Sequence, residues 1–257
     1  MSIFPAGRRA TALFTVVLLL VGATAASAFR PSTPWLLAQA AQKQLKREVR
    51  TLRVTQETTL YGLESAPRGL SVPQRTWVLA PFSWREELEF DNGPEVRIRT
   101  TKQEVLLRPG EKPKTKKPEA DLVADFLGGG APLERKEIAE RLMLDLRQLK
   151  IDTGVVSFAR FDGRVAYLIG SKPWENDKPQ VWVDKDTLQL LRVVTFEKRG
   201  TTEERREVRL LGYGSAEGGS WFPKTVEWWV GDRLLRRSVT RGVEKNEALE
   251  RSLFEAP

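Results

Sequence analysis

The sequence predicts an α+β, mostly β fold in which a curved antiparallel sheet forms an incomplete barrel, with helices covering its concave face. Long stretches alternate apolar and polar residues with the period of two that strands have. Turns such as Asp91-Asn92-Gly93 and Asp162-Gly163 join these stretches, which indicates a meander of hairpins and not βαβ units. Only residues 33–49 and 119–150 have helical periodicity, so they are the candidates to cover the apolar face.

The N-terminal half begins with a helix over residues 33–49. Pro34 suits a first helical turn, and an apolar stripe follows at steps of three and four residues: Leu36, Leu37, Ala40, Ala41, Leu45 and Val49. Strands follow this helix, and a Pro/Gly/Ser segment at 66–73 interrupts them. Strands are predicted at 52–61, 75–79, 84–90, 96–101 and 104–107.

The middle of the chain departs from the strand pattern. Residues 109–118 (PGEKPKTKKP) cannot build a core and predict a solvated loop, although the lysines could instead contact lipid headgroups or an acidic partner. A helical insert at 119–150 follows, in which a helix at 119–127 stops at Gly128-Gly129-Gly130 and a second runs from Pro132 to Lys150. Strands are then predicted at 155–161, 165–170, 180–183, 188–196, 206–213, 222–230 and 234–241.

The N-terminus has the order of a secretory signal peptide over residues 1–28. Arg8 and Arg9 precede an apolar run, and Ala26-Ser27-Ala28 supplies the small residues that signal peptidase recognises. A membrane anchor is the alternative, but the run has about 14 residues where a spanning helix needs roughly 20. Cleavage after Ala28 would leave a single domain over 29–257, and the absence of a lipobox cysteine suits a soluble periplasmic protein.

The composition argues against most catalytic chemistry. Histidine and cysteine are both absent, which removes the commonest general base, the commonest metal ligand and the Ser-His and Cys-His pairs. Asp184 and Asp186 flank a turn that they are expected to cap, without binding a metal. We therefore expect no enzymatic activity, no cofactor and no metal site.

The net charge of +8, or +6 without the two leader arginines, allows an anionic partner or serves solubility alone. A basic surface can meet nucleic acid, anionic lipid or an acidic protein. Export argues against nucleic acid. Transient contact with a membrane surface stays open.

Aromatic residues on the strands point to a cavity. Trp228 and Trp229 are adjacent, so they face opposite sides of one strand, and both faces carry an indole. A bent sheet under few helices leaves an apolar space of the kind that binds acyl chains. The sequence does not tell which face is concave; the candidate lining residues are Leu79, Trp84, Leu88, Phe90, Val226 and Trp228.

At the level of motifs the chain resembles the LolA-like superfamily of lipoprotein-sorting proteins, which includes LolA, LolB and the N-terminal domain of RseB. The resemblance rests on the element order, on residues 180–192 (QVWVDKDTLQLLR), on residues 221–227 (WFPKTVE) and on the ending from Val243 through Asn246 and Phe254 to Pro257. One departure is that Ala80 stands before Pro81, where LolA has the arginine that latches its lid.

The resemblance implies a helical lid over an apolar cavity and a role in the bacterial envelope. The expected function is a periplasmic carrier or binder of acylated lipoproteins or lipids in outer-membrane biogenesis. The alternative is a non-catalytic envelope sensor or scaffold of the RseB kind. The expected partners are an acylated lipoprotein or lipid and envelope membrane proteins.

Overall fold

A computed structural model describes residues 30–130 and 132–255, and the predicted signal peptide at 1–28 lies outside them. Residues from Ser32 onward form one compact unit. Its helices are α1 (Thr33–Leu45), α2 (Leu122–Leu127) and α3 (Arg135–Gln148), with a 3₁₀ turn at Arg251–Phe254. Its strands are β1 (Thr51–Leu60), β2 (Leu70–Leu79), β3 (Ser83–Phe90), β4 (Gly93–Arg99), β5 (Glu104–Leu107), β6 (Lys114–Lys116), β7 (Val156–Phe161), β8 (Arg164–Ile169), β9 (Gln180–Asp184), β10 (Leu190–Arg199), β11 (Thr202–Leu211), β12 (Thr225–Val230) and β13 (Arg233–Lys245).

All thirteen strands belong to one antiparallel sheet that does not close, which confirms the predicted fold class. Their order is β6-β5-β4-β3-β2-β1-β13-β12-β11-β10-β9-β8-β7. Every neighbouring pair is a hairpin except β1 with β13, which joins the N-terminal and C-terminal halves of the chain. The helical insert connects the two edge strands, β6 and β7.

The helices cover one face of this sheet. On β1 the side chains of Leu52, Val54, Gln56 and Thr58 are buried and alternate with more exposed neighbours. Leu52 and Val54 join a core cluster that includes Leu37 of α1 and Leu146 of α3, so this face is the concave, helix-covered one. Each helix contributes one apolar stripe to that core, as its periodicity predicts.

All three helices are shorter than predicted. Helix α1 ends at Leu45 and not at residue 49, and Glu48 adopts a positive φ beyond it. Helix α2 begins at Leu122, because the Asp121 side chain accepts a hydrogen bond from the Ala124 amide and caps the helix there. Helix α3 begins at Arg135, where Glu134 and Glu137 form a reciprocal capping box.

Most strand bounds differ from the predicted ones by one to four residues, and two larger departures concern β2 and β6. Strand β2 begins at Leu70 and continues through Pro73, within the segment predicted to interrupt it. Proline is tolerated because β3 pairs with β2 only from Gln74 onward, so Pro73 is locally at an edge. Residues 109–118 are not entirely loop, because Lys114–Lys116 form β6 and pair with β5.

Deleting residues 111–117 is expected to lower the melting temperature by no more than about 2–4 °C, the shift that about 1 kcal/mol produces in a domain of this size. Every residue from 111 to 117 is exposed, and β6 adds only three residues to the edge of the sheet. Thermal unfolding followed by circular dichroism measures the shift. A loss of ten degrees or more would show that β6 stabilises the sheet and is not a dispensable edge.

Candidate functional site

A cavity of about 160 Å³ lies between α2 and the concave face of the sheet. We call it the inner cavity. Strand residues supply most of its lining, and α2 supplies its roof through Val123, Ala124 and Leu127. The remaining lining residues are Gln56, Gln74, Thr76, Trp84, Glu86, Arg97, Arg99, Asp121, Val208, Phe222, Val226, Trp228 and Arg236.

One side of the inner cavity is apolar. Strands β11 and β12 contribute Val208, Val226 and Trp228, and Leu127 of α2 faces them from the roof. Trp84 packs tightly against the end of α2, since a Cβ placed on Gly128 would lie 3.0 Å from the indole Nε1. Glycine at 128 therefore lets the helix end approach the tryptophan ring.

The other side is a hydrogen-bonded polar belt that crosses four strands. Its centre is Gln74, whose amide donates to Gln56 Oε1 at 2.8 Å and to Glu86 Oε2 at 3.2 Å. Arg236 donates through Nη2 to the side-chain Oε1 of Gln74 at 2.8 Å. We call Gln56, Gln74, Glu86 and Arg236 the polar belt. A bare acyl chain would gain little from such a surface, because these groups are polar and already satisfied by one another.

Arg236 connects the polar belt to the apolar side. Its guanidinium lies 4.5 Å from the ring centroid of Trp228 and 3.0 Å from Glu86 Oε1. Burial alone would raise the pKa of Glu86, but the charge and hydrogen bond of Arg236, with the charge of Arg97, bring that pKa below its ordinary value. Glu86 is therefore ionised at neutral pH, and the contact is an ion pair.

A second cavity of about 400 Å³ lies beside the first, toward the β6 edge. We call it the outer cavity. Glu86, Arg97 and Arg236 line both cavities, so the Glu86–Arg236 ion pair stands at their boundary. The other residues that line the outer cavity are Leu88, Glu95, Glu104, Leu106, Lys114, Thr115 and Lys116. Most of these side chains are charged or polar, so the outer cavity suits polar groups.

A charge cluster ties the helices to the sheet beside the inner cavity. Asp125 of α2 binds Arg99 of β4 at 3.3 Å and Arg141 of α3 at 3.0 Å. Asp145 of α3 lies 3.5 Å from Arg141. Burial, together with the adjacent carboxylate of Asp125, raises the pKa of Asp145 to about 9. Asp145 is therefore protonated at neutral pH.

Helix α1 and the turn that follows it reach the same place through two side chains that bind backbone carbonyls of α2. Gln44 donates through its side-chain Nε2 to the Asp125 backbone carbonyl at 3.2 Å, and Arg47 donates through Nη1 to the Phe126 backbone carbonyl at 3.1 Å. These donors satisfy carbonyls at the end of α2 that lack helical partners. All three helices and the sheet thus meet at Asp125.

The structure places three of the six predicted lining residues, Trp84, Val226 and Trp228, in the inner cavity, and Leu88 in the outer one. Phe90 follows Leu88 by two residues on the same face, at the hairpin end of β3 and outside the lining of both cavities. Leu79 lies on the opposite, convex face, because its neighbour Val78 is the residue in the core.

Sequence reasoning missed the polar belt and the charge cluster. Glu86 carried a signal, because its spacing from Trp84 and Leu88 places all three on one face of the strand. Arg236 and Arg99 carried none, since their partners are 150 and 26 residues away.

Comparison with known proteins gives similarity at the level of structure. No family model matches the sequence, and no curated protein matches it. A DUF1329 family protein from Desulfovibrio piger superposes with a TM-score of 0.53 at 11% identity over 88% of this chain and 98% of its own. An outer-membrane lipoprotein-sorting protein domain from Vibrio parahaemolyticus superposes with a TM-score of 0.51 at 15% identity over 84% of this chain and 95% of its own.

The chain has the LolA-like fold. A LolA superfamily protein from Nitrosomonas europaea is also similar, with a TM-score of 0.48 at 12% identity over 84% of this chain and 97% of its own. In this chain Ala80 precedes Pro81 and has no charge to offer helix α2. The ion pair between the sheet and α2 is made by Arg99 on β4.

Proposed function

We propose that this chain is an exported periplasmic protein that binds the acyl part of a lipoprotein or lipid in the inner cavity and carries it within the cell envelope. The observation that supports the proposal is the inner cavity itself, roofed by α2 and lined on one side by Trp84, Val226 and Trp228. The LolA-like fold and the leader at 1–28 agree with an envelope role. We propose no catalytic role.

The cavity polarity adds a requirement to this proposal. An apolar side and a polar belt face each other across about 160 Å³, so the ligand that fits best is amphipathic. Its chain would contact Trp228 and Leu127, and its ester or amide oxygens would meet Arg97 and the polar belt. Arg97 lines both cavities, where it donates through Nε to Glu104 at 2.9 Å.

The size of the cavity implies that binding requires movement. A space near 150 Å³ holds a benzene-sized molecule, whereas ligand pockets commonly measure about 300–1,000 Å³. Two routes enlarge it: α2 can move away from Trp84, or the Glu86–Arg236 pair can open and join the inner cavity to the outer one. In either route the ligand must supply the energy of the contacts that it breaks.

A scaffold or sensor without bound lipid is the second candidate. It is favoured by the polar belt, whose groups satisfy one another without a ligand. Because these polar groups are hydrogen-bonded to one another, the cavity is stable without a bound ligand. The two candidates differ in whether an acyl ligand binds with a defined stoichiometry.

Titration with a single-chain fatty-acyl ligand is expected to change the tryptophan fluorescence saturably, with one ligand per chain. Trp84 and Trp228 line the inner cavity, so a chain that enters changes the surroundings of both indoles. Mass spectrometry of protein purified gently from the periplasm provides a second measurement, because a carrier should retain acylated material. A titration without saturation, together with protein free of lipid, would contradict the carrier and favour the scaffold.

A further inference from the structure

The loop between β8 and β9, residues 171–179, presents a tryptophan to solvent. Trp174 is 73% exposed. Among the residues that the structure describes, the other exposed large apolar side chains are Trp35 and Leu144, each at 45%. Removing the apolar area of an indole from water is favourable, so a tryptophan exposed at this level forgoes a sizeable gain unless a partner covers it.

Hydrogen bonds within the loop hold this tryptophan outward. The Lys172 amide donates to Glu175 Oε2 at 2.8 Å, and the Glu175 amide donates to the Lys172 carbonyl at 3.0 Å. Lys178 Nζ donates to Glu175 Oε1 at 2.7 Å, and Gln180 Nε2 donates to the Glu175 carbonyl at 3.1 Å. Glu175 thus organises the loop on both sides of Trp174. The indole is therefore presented by an ordered turn and not by a flexible segment.

The two ends of the loop are fixed against the rest of the molecule. Gly170 adopts φ +103°, and a Cβ placed there would lie 2.6 Å from the Pro179 carbonyl and 2.7 Å from Ile151 Cγ2. The Ser157 hydroxyl donates to the Ser171 carbonyl at 2.8 Å. A compact loop with adjoining, anchored ends is a frequent form of functional surface loop.

The charges beside Trp174 balance one another, so the attraction to an anionic surface comes from the net positive charge of the whole chain. Lys172 Nζ lies 5.5 Å from the indole centroid. The pKa of Lys178 is raised above its ordinary value, first by its hydrogen bond to Glu175 and then by neighbouring carboxylates, so it stays charged. Lys150 is exposed and precedes Ile151, the residue that contacts the loop base. The nearby acids are Asp152, Glu175 and Asp177, and the chain as a whole is basic.

We propose that the loop at 171–179 docks on a phospholipid bilayer that contains anionic lipids. The indole of Trp174 enters the boundary between headgroups and acyl chains, where tryptophan rings are favoured because one part of the ring is apolar and its N–H is polar. Lys172 then contacts lipid phosphates, and the net positive charge of the chain draws it toward the surface. The inner cavity takes no part in this contact, so the inference is independent of the proposed function.

Flotation with lipid vesicles tests the docking surface on the exported chain purified from the periplasm. Wild type is expected to partition onto vesicles of phosphatidylcholine mixed with phosphatidylglycerol, and less onto phosphatidylcholine alone. Trp174→Ala should lower the partition coefficient about tenfold, because the apolar area of the indole is lost. Trp174→Phe should retain most of the binding. Both variants should have the melting temperature of wild type, because little of the Trp174 side chain is buried.

The basic segment at 109–118 supplies the matched control. Lys112, Lys114 and Lys117 are exposed, and replacing all three with alanine removes more charge than any change in the loop at 171–179. That triple variant is expected to keep at least about half of the vesicle binding, since it retains the indole. Equal partition of Trp174→Ala and wild type would overturn the proposal. So would a triple-lysine variant that loses all binding while Trp174→Ala keeps it, which would place the membrane contact at the basic segment.

Discussion

Replacing Asp125 with asparagine is expected to lower the free energy of unfolding by about 3–5 kcal/mol at neutral pH, the cost of breaking a buried ion pair on one side. The Arg99 side chain is 5% exposed and that of Asp125 is 1% exposed, so water cannot replace the lost carboxylate. Asparagine keeps the shape of the side chain and removes only its charge. Urea unfolding followed by tryptophan fluorescence measures the loss.

Asp145→Asn is the matched control, because it makes the same change in the same cluster. A pKa of about 9 means that Asp145 is already neutral at pH 7, so the amide should leave the stability unchanged or raise it. The expected order of stability is therefore Asp145→Asn at or above wild type, with Asp125→Asn well below both. Equal losses in the two variants would mean that both carboxyls are ionised.

The pH dependence of wild type follows from the same carboxyl. Asp145 has a raised pKa when folded, whereas in the unfolded chain it titrates near 3.9. Between about pH 4 and about pH 9 the folded state holds a proton that the unfolded state has released, so this group makes the protein less stable as the pH rises. Asp145→Asn should remove that part of the decline. Identical pH profiles for wild type and variant would contradict the assignment.

The strand pattern could be predicted because a period of two is a local property. Trp84, Leu88 and Phe90 share a face by spacing alone, and the structure confirms the strand that carries them. Which face becomes concave is not local. It is decided by where α1 and α3 pack, and the alternation of Val78 with Leu79 looks the same from either side. The prediction therefore placed Leu79 with residues that lie on the opposite face of the sheet.

The polar belt could not be predicted because its partners come from distant strands. Gln56, Gln74 and Arg236 look like solvent-facing strand residues, and only the pairing of β1 with both β2 and β13 brings them together. That pairing joins residues about 180 positions apart, such as Thr58 and Ser238. The contacts of the charge cluster likewise join residues that no strand or helix periodicity relates. Burial of polar side chains is the physical feature that sets this cavity apart from an apolar one.

Placing a lysine at position 84 is expected to weaken the binding of an apolar fluorescent probe at least about tenfold, the effect of an unpaired charge that costs 1.4 kcal/mol or more in an apolar site. Trp84 faces the inner cavity and pairs across the strands with Arg99, so a cation there finds a like charge and an apolar wall. Trp84→Leu should bind nearly as wild type, which separates the effect of charge from the loss of the ring. An extrinsic probe is needed because both variants remove one of the tryptophans.

Leu79→Lys is the control that makes the cavity assignment testable. It introduces the same charge on a neighbouring strand, but on the convex face, so probe binding should match wild type. Leu88→Lys should fall between the two, because Leu88 lines the outer cavity, where Glu95 and Glu104 can pair with a lysine. Melting curves establish that each variant is folded. If Leu79→Lys and Trp84→Lys weaken binding equally, the probe is not in the inner cavity, because only one of these side chains faces it.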